Sequence, residues 1–305
     1  MKLSVVATLY RSAEYIETFH RRVTESVSKL TDDYEIILVN DGSPDDSLAV
    51  AVALGKRDKH VVVIDFSRNF GHHKAMMTGL SYAQGERVFL IDSDLEEEPE
   101  WLPEFAKIMD ETGCDAVYGV QKARKGGWFE RVSGGLFWKT FRALTRIDFP
   151  ENPTTARLMT RRFVDALLNF KEREIFIHGL WHITGFEQRA LEVNKLSTSA
   201  TTYSLSRKLA LLTNSIVSFS NAPLMMIFQC GVVIFLLSFS ISCWLILRWL
   251  WGAHPPAGWA SVMISVWLLG GLIISFIGIV GIYLSKIYSE TKQRPFTIVR
   301  DVYRG

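Results

Sequence analysis

The sequence predicts an α/β fold: a mostly parallel, Rossmann-like sheet, followed by interfacial amphipathic helices and a two-helix transmembrane hairpin. Three observations predict it. Short β-branched runs alternate with longer helix-like segments through roughly the first 120 residues, the pattern of a parallel sheet with helices on its faces. Acid-rich turns follow two of those runs. Two long stretches in the last third carry no charge at all.

The predicted strands are LSVVATL from Leu3, EIILVN from Glu35, VVVIDF from Val61, RVFLID from Arg87 and DAVYGV from Asp115. Runs this continuously apolar suit strands covered on both faces. Between the first two, Tyr15, Ile16, Phe19, Val23 and Leu30 recur at helical spacing. Ligands of such sheets bind beyond the carboxyl ends of the strands. Two acidic turns lie at such ends, NDGSPDD after the second run and IDSDLEEEPEW after the fourth.

The middle of the chain is mixed. Phe137, Phe141 and Leu144 share a helical face beside Arg131, Lys139, Arg142 and Arg146. Leu205, Leu209, Leu212, Ile216 and Phe219 repeat the pattern beside Arg207 and Lys208. Each segment either packs on the core or lies in a membrane interface. Leu224–Leu247 and Trp259–Ser285 then hold no charged residue, and each exceeds the ~20 residues a membrane helix needs. The connector RWLWGAHPPAGW carries Arg248 as its one Lys or Arg. Lys286, Lys292, Arg294, Arg300 and Arg304 follow the second run. The positive-inside rule therefore puts both flanks in the cytoplasm. The expected organisation is a catalytic domain over 1–200, an amphipathic interfacial helix over 201–222, two transmembrane helices within 223–285 and a cytoplasmic tail over 286–305. The protein is expected in the inner (cytoplasmic) membrane, multi-pass, with catalytic domain and both termini cytoplasmic.

Across 305 residues the net charge is +2, which argues against a nucleic-acid partner. Cys114, Cys230 and Cys243 match no metal-ligand spacing and are expected to be reduced. The first residues enter a strand-like run directly, with no signal-peptide pattern.

Asp92-Ser93-Asp94 puts two carboxylates just past a buried strand, where they suit a hard divalent cation and, through it, phosphate oxygens. The same acids also suit a helix N-terminus, with Pro99 in its first turn. Glu96, Glu97 and Glu98 are read as that acidic helix entry. Asn40-Asp41-Gly42-Ser43 is ideal turn composition, and its acid is also placed to accept from a base or ribose.

Together, EIILVNDGSPDDS, DFSRNFGHHKAMMTGL and GERVFLIDSDLEEEPEWLPEF resemble family 2 glycosyltransferases of the GT-A fold. TARLMTRRFVDAL, TTYSLSRKLALL, SIVSFSNAPL, the apolar runs and IYSETKQRP extend the resemblance, in order, to the polyprenyl-phosphate glycosyltransferases. These include the GtrB-type bactoprenol glucosyltransferases and dolichol-phosphate mannose synthase. The resemblance implies a nucleotide-sugar donor, read as a UDP-hexose, a polyprenyl phosphate acceptor such as undecaprenyl phosphate, and a homo-oligomer in the bilayer. It implies Asp92 and Asp94 as ligands of Mg²⁺ or Mn²⁺, with Arg157 beside them in catalysis. Thr8, Tyr10, Asp41, Arg68, Lys74, Asp92 and Ser93 are implied at the nucleotide sugar. Arg124, Arg131 and Arg157 are implied at the acceptor phosphate.

Some positions depart from the family pattern. Ala7 and Arg11 replace Pro and Asn of the first strand's end. His72, His73 and Lys74 follow the RNFG segment, and their roles stay open between the sugar or phosphate and a solvated first helical turn. Thr155 stands where an acid is common, and Gln121 replaces an arginine. The other readings are a processive polysaccharide synthase, whose QxxRW motif is absent from the sequence, and an inactive glycosyltransferase-like binding protein.

Overall fold

Strand β1 (Leu3–Leu9) is buried along its whole length, as its charge-free sequence requires. The computed structural model describes residues 2–121, 153–173, 175–194, 222–251 and 258–304. β1 pairs in parallel with β2 (Tyr34–Asn40) and, on its other side, with β4 (Arg87–Leu90). β3 (Val61–Phe66) continues the parallel block beyond β2. β6 (Pro153–Thr160) runs antiparallel to both β4 and β5 (Ala116–Gln121), and β7 (Gln188–Val193) lies parallel to β5. The order is β7-β5-β6-β4-β1-β2-β3-β8, where β8 is Val299–Arg304. The expected, mostly parallel α/β sheet is therefore present.

Helices α1 (Ile16–Val27), α2 (Ser47–Arg57) and α3 (His72–Tyr82) carry the chain between the parallel strands. α1 buries Ile16, Phe19, Val23 and Val27, one stripe of a 3.6-residue period. Leu30 falls beyond the helix end and is exposed. Alternate strand residues face opposite layers. Val5, Leu38 and Phe89 join the core that includes α1, α2 and α4 (Leu102–Thr112), with Phe89 edge-on to Phe105 at 6.1 Å. On the other face α3 sits close: a Cβ on Gly79 would lie 2.5 Å from Val6 Cγ1 and 2.9 Å from Val39 Cγ2. α5 (Arg161–Leu168) is capped by Thr160, whose Oγ1 accepts from the Phe163 N–H. α6 (Ile177–Ile183) precedes β7.

The chain runs β1 to β3 in one direction and then returns to place β4 beyond β1. Strand order reverses there, so the crevice beyond the ends of β1 and β4 is the expected ligand site.

The C-terminal tail does not end as an extension beyond the last helix. Residues 299–304 form β8, antiparallel at the outer edge of β3. Among the described residues, 294–304 accordingly belong to the same unit as 2–121, 153–173 and 175–194; a second unit comprises 222–251 and 258–293. Both charge-free runs in that second unit are helices, α7 (Ala222–Leu250) and α8 (Trp259–Thr291). Leu269–Thr291 is long and apolar enough to cross a membrane, and its most apolar window is unburied. The segments around Phe137 and over 201–221 lie outside the described residues, as do Arg124 and Arg131. Cys114 and Cys230 are free.

Candidate active site at the ends of β1 and β4

Ile91 extends β4 by donating its N–H to Val6 O, and the acidic turn starts at the next residue. Ser93 is buried; its hydroxyl donates to Thr8 O at 2.8 Å and approaches Ser12 Oγ at 3.1 Å. That serine braces the two strand ends, with a carboxylate on either side of it. Asp94 Oδ1 accepts from the Glu96 N–H at 3.0 Å.

His72, the first residue of α3, bridges the ends of β1 and β4. Its Nδ1 is hydrogen-bonded to Thr8 Oγ1 at 3.0 Å, and its Nε2 lies 3.2 Å from Asp92 Oδ1. Burial opposes the imidazolium charge. The hydrogen bond and charge of Asp92, with Asp41 and Asp94 adding, nevertheless lift the His72 pKa above its usual value. His72 is thus tied to the acids while its side chain stays about half exposed in the first turn of α3.

Asp41 lies behind this. It accepts from the Phe70 N–H at 2.7 Å and the Gly71 N–H at 3.0 Å. Burial raises its pKa against those two donors. The turn and the loop are pressed together: Gly42 has φ +59°, and a Cβ there would collide with the Asn69 backbone nitrogen. Arg68 donates to Asn69 O and lies 4.2 Å over the Phe70 ring. Lys74 follows half-buried in the first turn of α3. Tyr10 is exposed just past the end of β1, with the Arg11 guanidinium 5.8 Å from its ring.

The other wall is cationic and aromatic. Arg157 on β6 is in register with Leu90, two residues before Asp92. It is 2 % exposed, and its guanidinium carbon sits 3.0 Å over the Trp181 ring and 5.6 Å from Tyr118. Its Nε and Nη2 reach Thr155 O and Thr154 O at 3.4 and 3.5 Å. Burial pushes its pKa well down, opposed by Tyr118 and Glu97.

Glu97 does more than the acidic helix entry expected of Glu96–Glu98. Its side chain is fully buried and accepts from Thr155 N at 3.0 Å and Ala156 N at 2.7 Å. It clamps the strand that carries Arg157. The helix itself does begin as expected, with Pro99–Trp101 forming a 3₁₀ turn into α4.

Two further residues of this wall were not expected. His178 and Trp181, one turn apart on α6, have ring centroids 4.9 Å apart, and His178 lies 6.1 Å from His73. Burial, with the charge of Arg157, lowers the His178 pKa to about 3. His178 Nδ1 and Trp181 Nε1 are buried without a hydrogen-bond partner among the described residues. Indole N–H is a donor only, so an acceptor suits that position. FIHGLWHI reads locally as an ordinary apolar helix, and its spacing carries no signal for this role.

Asp92 and Asp94 supply hard oxygen donors. Among the described residues no group of three or more His, Cys, Asp or Glu could hold a metal ion. Mg²⁺ and Mn²⁺ take one or two carboxylates and complete their shell with water and substrate phosphates, so the two carboxylates are enough for either ion. The residues present fit such an ion.

The family model described as glycosyl transferase family 2 matches residues 4–168. A Mycobacterium tuberculosis protein, named only as belonging to the glycosyltransferases, is 48 % identical over 99 % of this chain and 89 % of its own length. The SfII prophage-derived bactoprenol glucosyl transferase of Shigella flexneri is 30 % identical over 100 % of this chain and 99 % of its own. Among solved structures, glucosyl-3-phosphoglycerate synthase from Mycobacterium tuberculosis, in complex with Mn²⁺, UDP and phosphoglyceric acid, superposes with a TM-score of 0.52 at 20 % identity. That superposition covers 71 % of this chain and 76 % of the other, and the likeness is one of fold.

Proposed function

The chain belongs to glycosyl transferase family 2 and is a glycosyltransferase, and from that premise we propose that it transfers a hexose from a UDP-sugar to a polyprenyl phosphate at the cytoplasmic membrane face. The observation that carries this reading is the pairing of charges at the β1–β4 switch. An acid end (Asp92, Asp94, Asp41) adjoins a buried arginine on the neighbouring strand. A hydroxyl acceptor would call for a general base. A buried cation beside the acids suits two phosphate groups. The bactoprenol glucosyl transferase name of a full-length relative supports the same acceptor class.

A phosphomonoester is largely dianionic near neutral pH and is already a nucleophile. Its oxygen bonds to the anomeric carbon as the bond from that carbon to the nucleotide diphosphate breaks. The electron pair leaves with the diphosphate, and the configuration inverts. Two anions must approach for this, and their repulsion needs cations around them. Asp92 and Asp94 would hold the ion, and a bound Mg²⁺ or Mn²⁺ would neutralise the leaving diphosphate. His72 orients Asp92. Arg157 offers a guanidinium suited to phosphate, flattened against Trp181. Asp41 and Arg68 hold the loop expected at the nucleotide. Arg124 and Arg131 remain the further acceptor contacts of this proposal.

The membrane part of the proposal is that α7 and α8 are the two spans. Connectivity supports it. β8 follows α8 and lies in the same sheet as β1. An even number of crossings returns the chain to the side it left, and a single crossing does not.

The test incubates membranes holding the protein with labelled nucleotide sugars, polyprenyl phosphate and Mg²⁺ or Mn²⁺, then extracts lipids. Label in the lipid phase is expected from a UDP-hexose. No lipid label from any common donor sinks the proposal, and label from GDP-mannose alone overturns the choice of nucleotide.

A further inference from the structure

The segment after the last apolar helix grips the loop that leads into the donor side of the site. Ser67, the first residue after β3, is held at both backbone groups. Its N–H donates to Ile298 O at 3.0 Å, and its carbonyl accepts from Arg300 Nη2 at 2.9 Å. The register of β3 with β8 shifts between Asp65 and Phe66. Such bulges re-aim side chains near sites. Arg300 also reaches inward, with Nη1 3.4 Å from Asp65 Oδ2. Asp65 is buried, and its other oxygen accepts from Asn40 Nδ2 at 2.8 Å. Asn40 Oδ1 in turn accepts from the Ser43 N–H.

Arg300 therefore connects the C-terminal strand to both strand-end turns, the loop from Ser67 and the turn after β2. The far end of that loop is fixed by Asp41 on the Phe70 and Gly71 N–H groups. Arg68 and Asn69 lie between the two anchors, against Gly42. A loop fixed at both ends enters binding with its ordering cost already met. Residues 292–298 join the end of α8 to β8, so the same short segment connects the last apolar helix to this anchor.

We propose that Arg300 is a positioning residue for the nucleotide donor, and that the C-terminal strand is thereby part of the donor site. The inference rests on the reading of Asp41 and Arg68 as the donor side. It does not involve the acceptor.

The experiment uses the full chain in detergent, with UDP binding measured by calorimetry in Mg²⁺ and GDP as a parallel arm. Arg300→Ala is expected to weaken UDP binding by about tenfold, the lower end of what losing an outer partner of a site costs. The donor KM rises with it, while kcat and the polyprenyl phosphate KM stay near the wild-type values. Arg300→Lys keeps a charge opposite Asp65 but not the second donor to Ser67 O, and falls between. Thr297→Val removes the 2.9 Å contact between Thr297 and Thr78 in the same segment and serves as the control. It is expected to bind UDP as the wild type does, even where its melting temperature falls. Equal UDP affinity in the wild type and both Arg300 variants overturns the inference. Equal weakening in Thr297→Val and Arg300→Ala also overturns it, because the strand would then be structural only. If the wild type binds neither UDP nor GDP, the donor reading itself fails, and that result is distinct from the other two.

Discussion

His72 Nε2 lies 3.2 Å from Asp92 Oδ1 while the opposite ring nitrogen is hydrogen-bonded to Thr8. One side chain thus links the ends of β1 and β4 and fixes where a carboxylate of the acidic pair points. Partners of this kind typically change metal affinity or activity by about 10–100-fold when lost. His72→Ala is expected to weaken Mn²⁺-dependent UDP binding by about tenfold with the melting temperature little changed. Undiminished binding, measured by calorimetry, would show that Asp92 is held by other groups.

Asp94 is half-buried, and its Oδ1 accepts from the Glu96 N–H. Asp94→Asn keeps the size and an acceptor but removes the charge. Transfer of label to lipid is expected to drop by more than the roughly 100-fold upper bound for an outer partner, with partial recovery at high Mn²⁺. An unaffected rate removes Asp94 from the metal site.

Glu97 makes the opposite prediction. Glu97→Ala strands the Thr155 and Ala156 N–H groups in the interior, at about 1–3 kcal/mol for each unsatisfied group. The melting temperature should fall by several degrees, since about 1 kcal/mol corresponds to ~2–4 °C in a chain of this size class. Glu97→Gln retains one acceptor and should fall between. A melting curve identical to wild type for Glu97→Ala would contradict the clamp.

These three acids show what was legible in the sequence and why the rest was not. The strands were legible because LSVVATL and VVVIDF hide apolar side chains on both faces, a constraint written locally. Asp92 and Asp94 were legible as a pair at a strand end. Glu97 was not, because its burial depends on backbone groups 58 and 59 residues further along. Locally it is one of three glutamates before a proline. His178 and Trp181 gain meaning only when α6 closes over Arg157, and no spacing within α6 encodes that. β8 was missed for a different reason. VRDVYR carries charges that suit an exposed edge strand, and after two apolar helices they read equally well as a cytoplasmic flank.

Trp181 separates stacking from hydrogen bonding. Trp181→Phe keeps an aromatic face over Arg157 but deletes the indole N–H, which is buried without a partner among the described residues. If that donor meets the acceptor phosphate, the KM for polyprenyl phosphate should rise by about five- to tenfold, the size of one hydrogen bond. The donor KM should not move. A rise in the donor KM instead would assign the indole to the nucleotide diphosphate.

His178 predicts a pH dependence of stability. Its folded pKa is lowered to about 3 by burial and by Arg157, against about 6.5 for an unperturbed imidazole. The native state therefore keeps His178 neutral where the unfolded chain takes up a proton. The sign follows: above about pH 6.5 neither state is protonated and the residue contributes no slope. As pH falls below that, the unfolded state binds the extra proton and stability declines, continuing toward pH 3. The slope is at most about 1.4 kcal/mol per pH unit for one group. Replacing His178 with Phe, which preserves a ring against Trp181, removes that proton uptake. Between pH 6.5 and 5 the variant should lose less stability than the wild type in denaturant titrations, although the two need not match at pH 7.5. Parallel slopes for the two proteins would mean that His178 is protonated in the fold and that Arg157 does not suppress its charge.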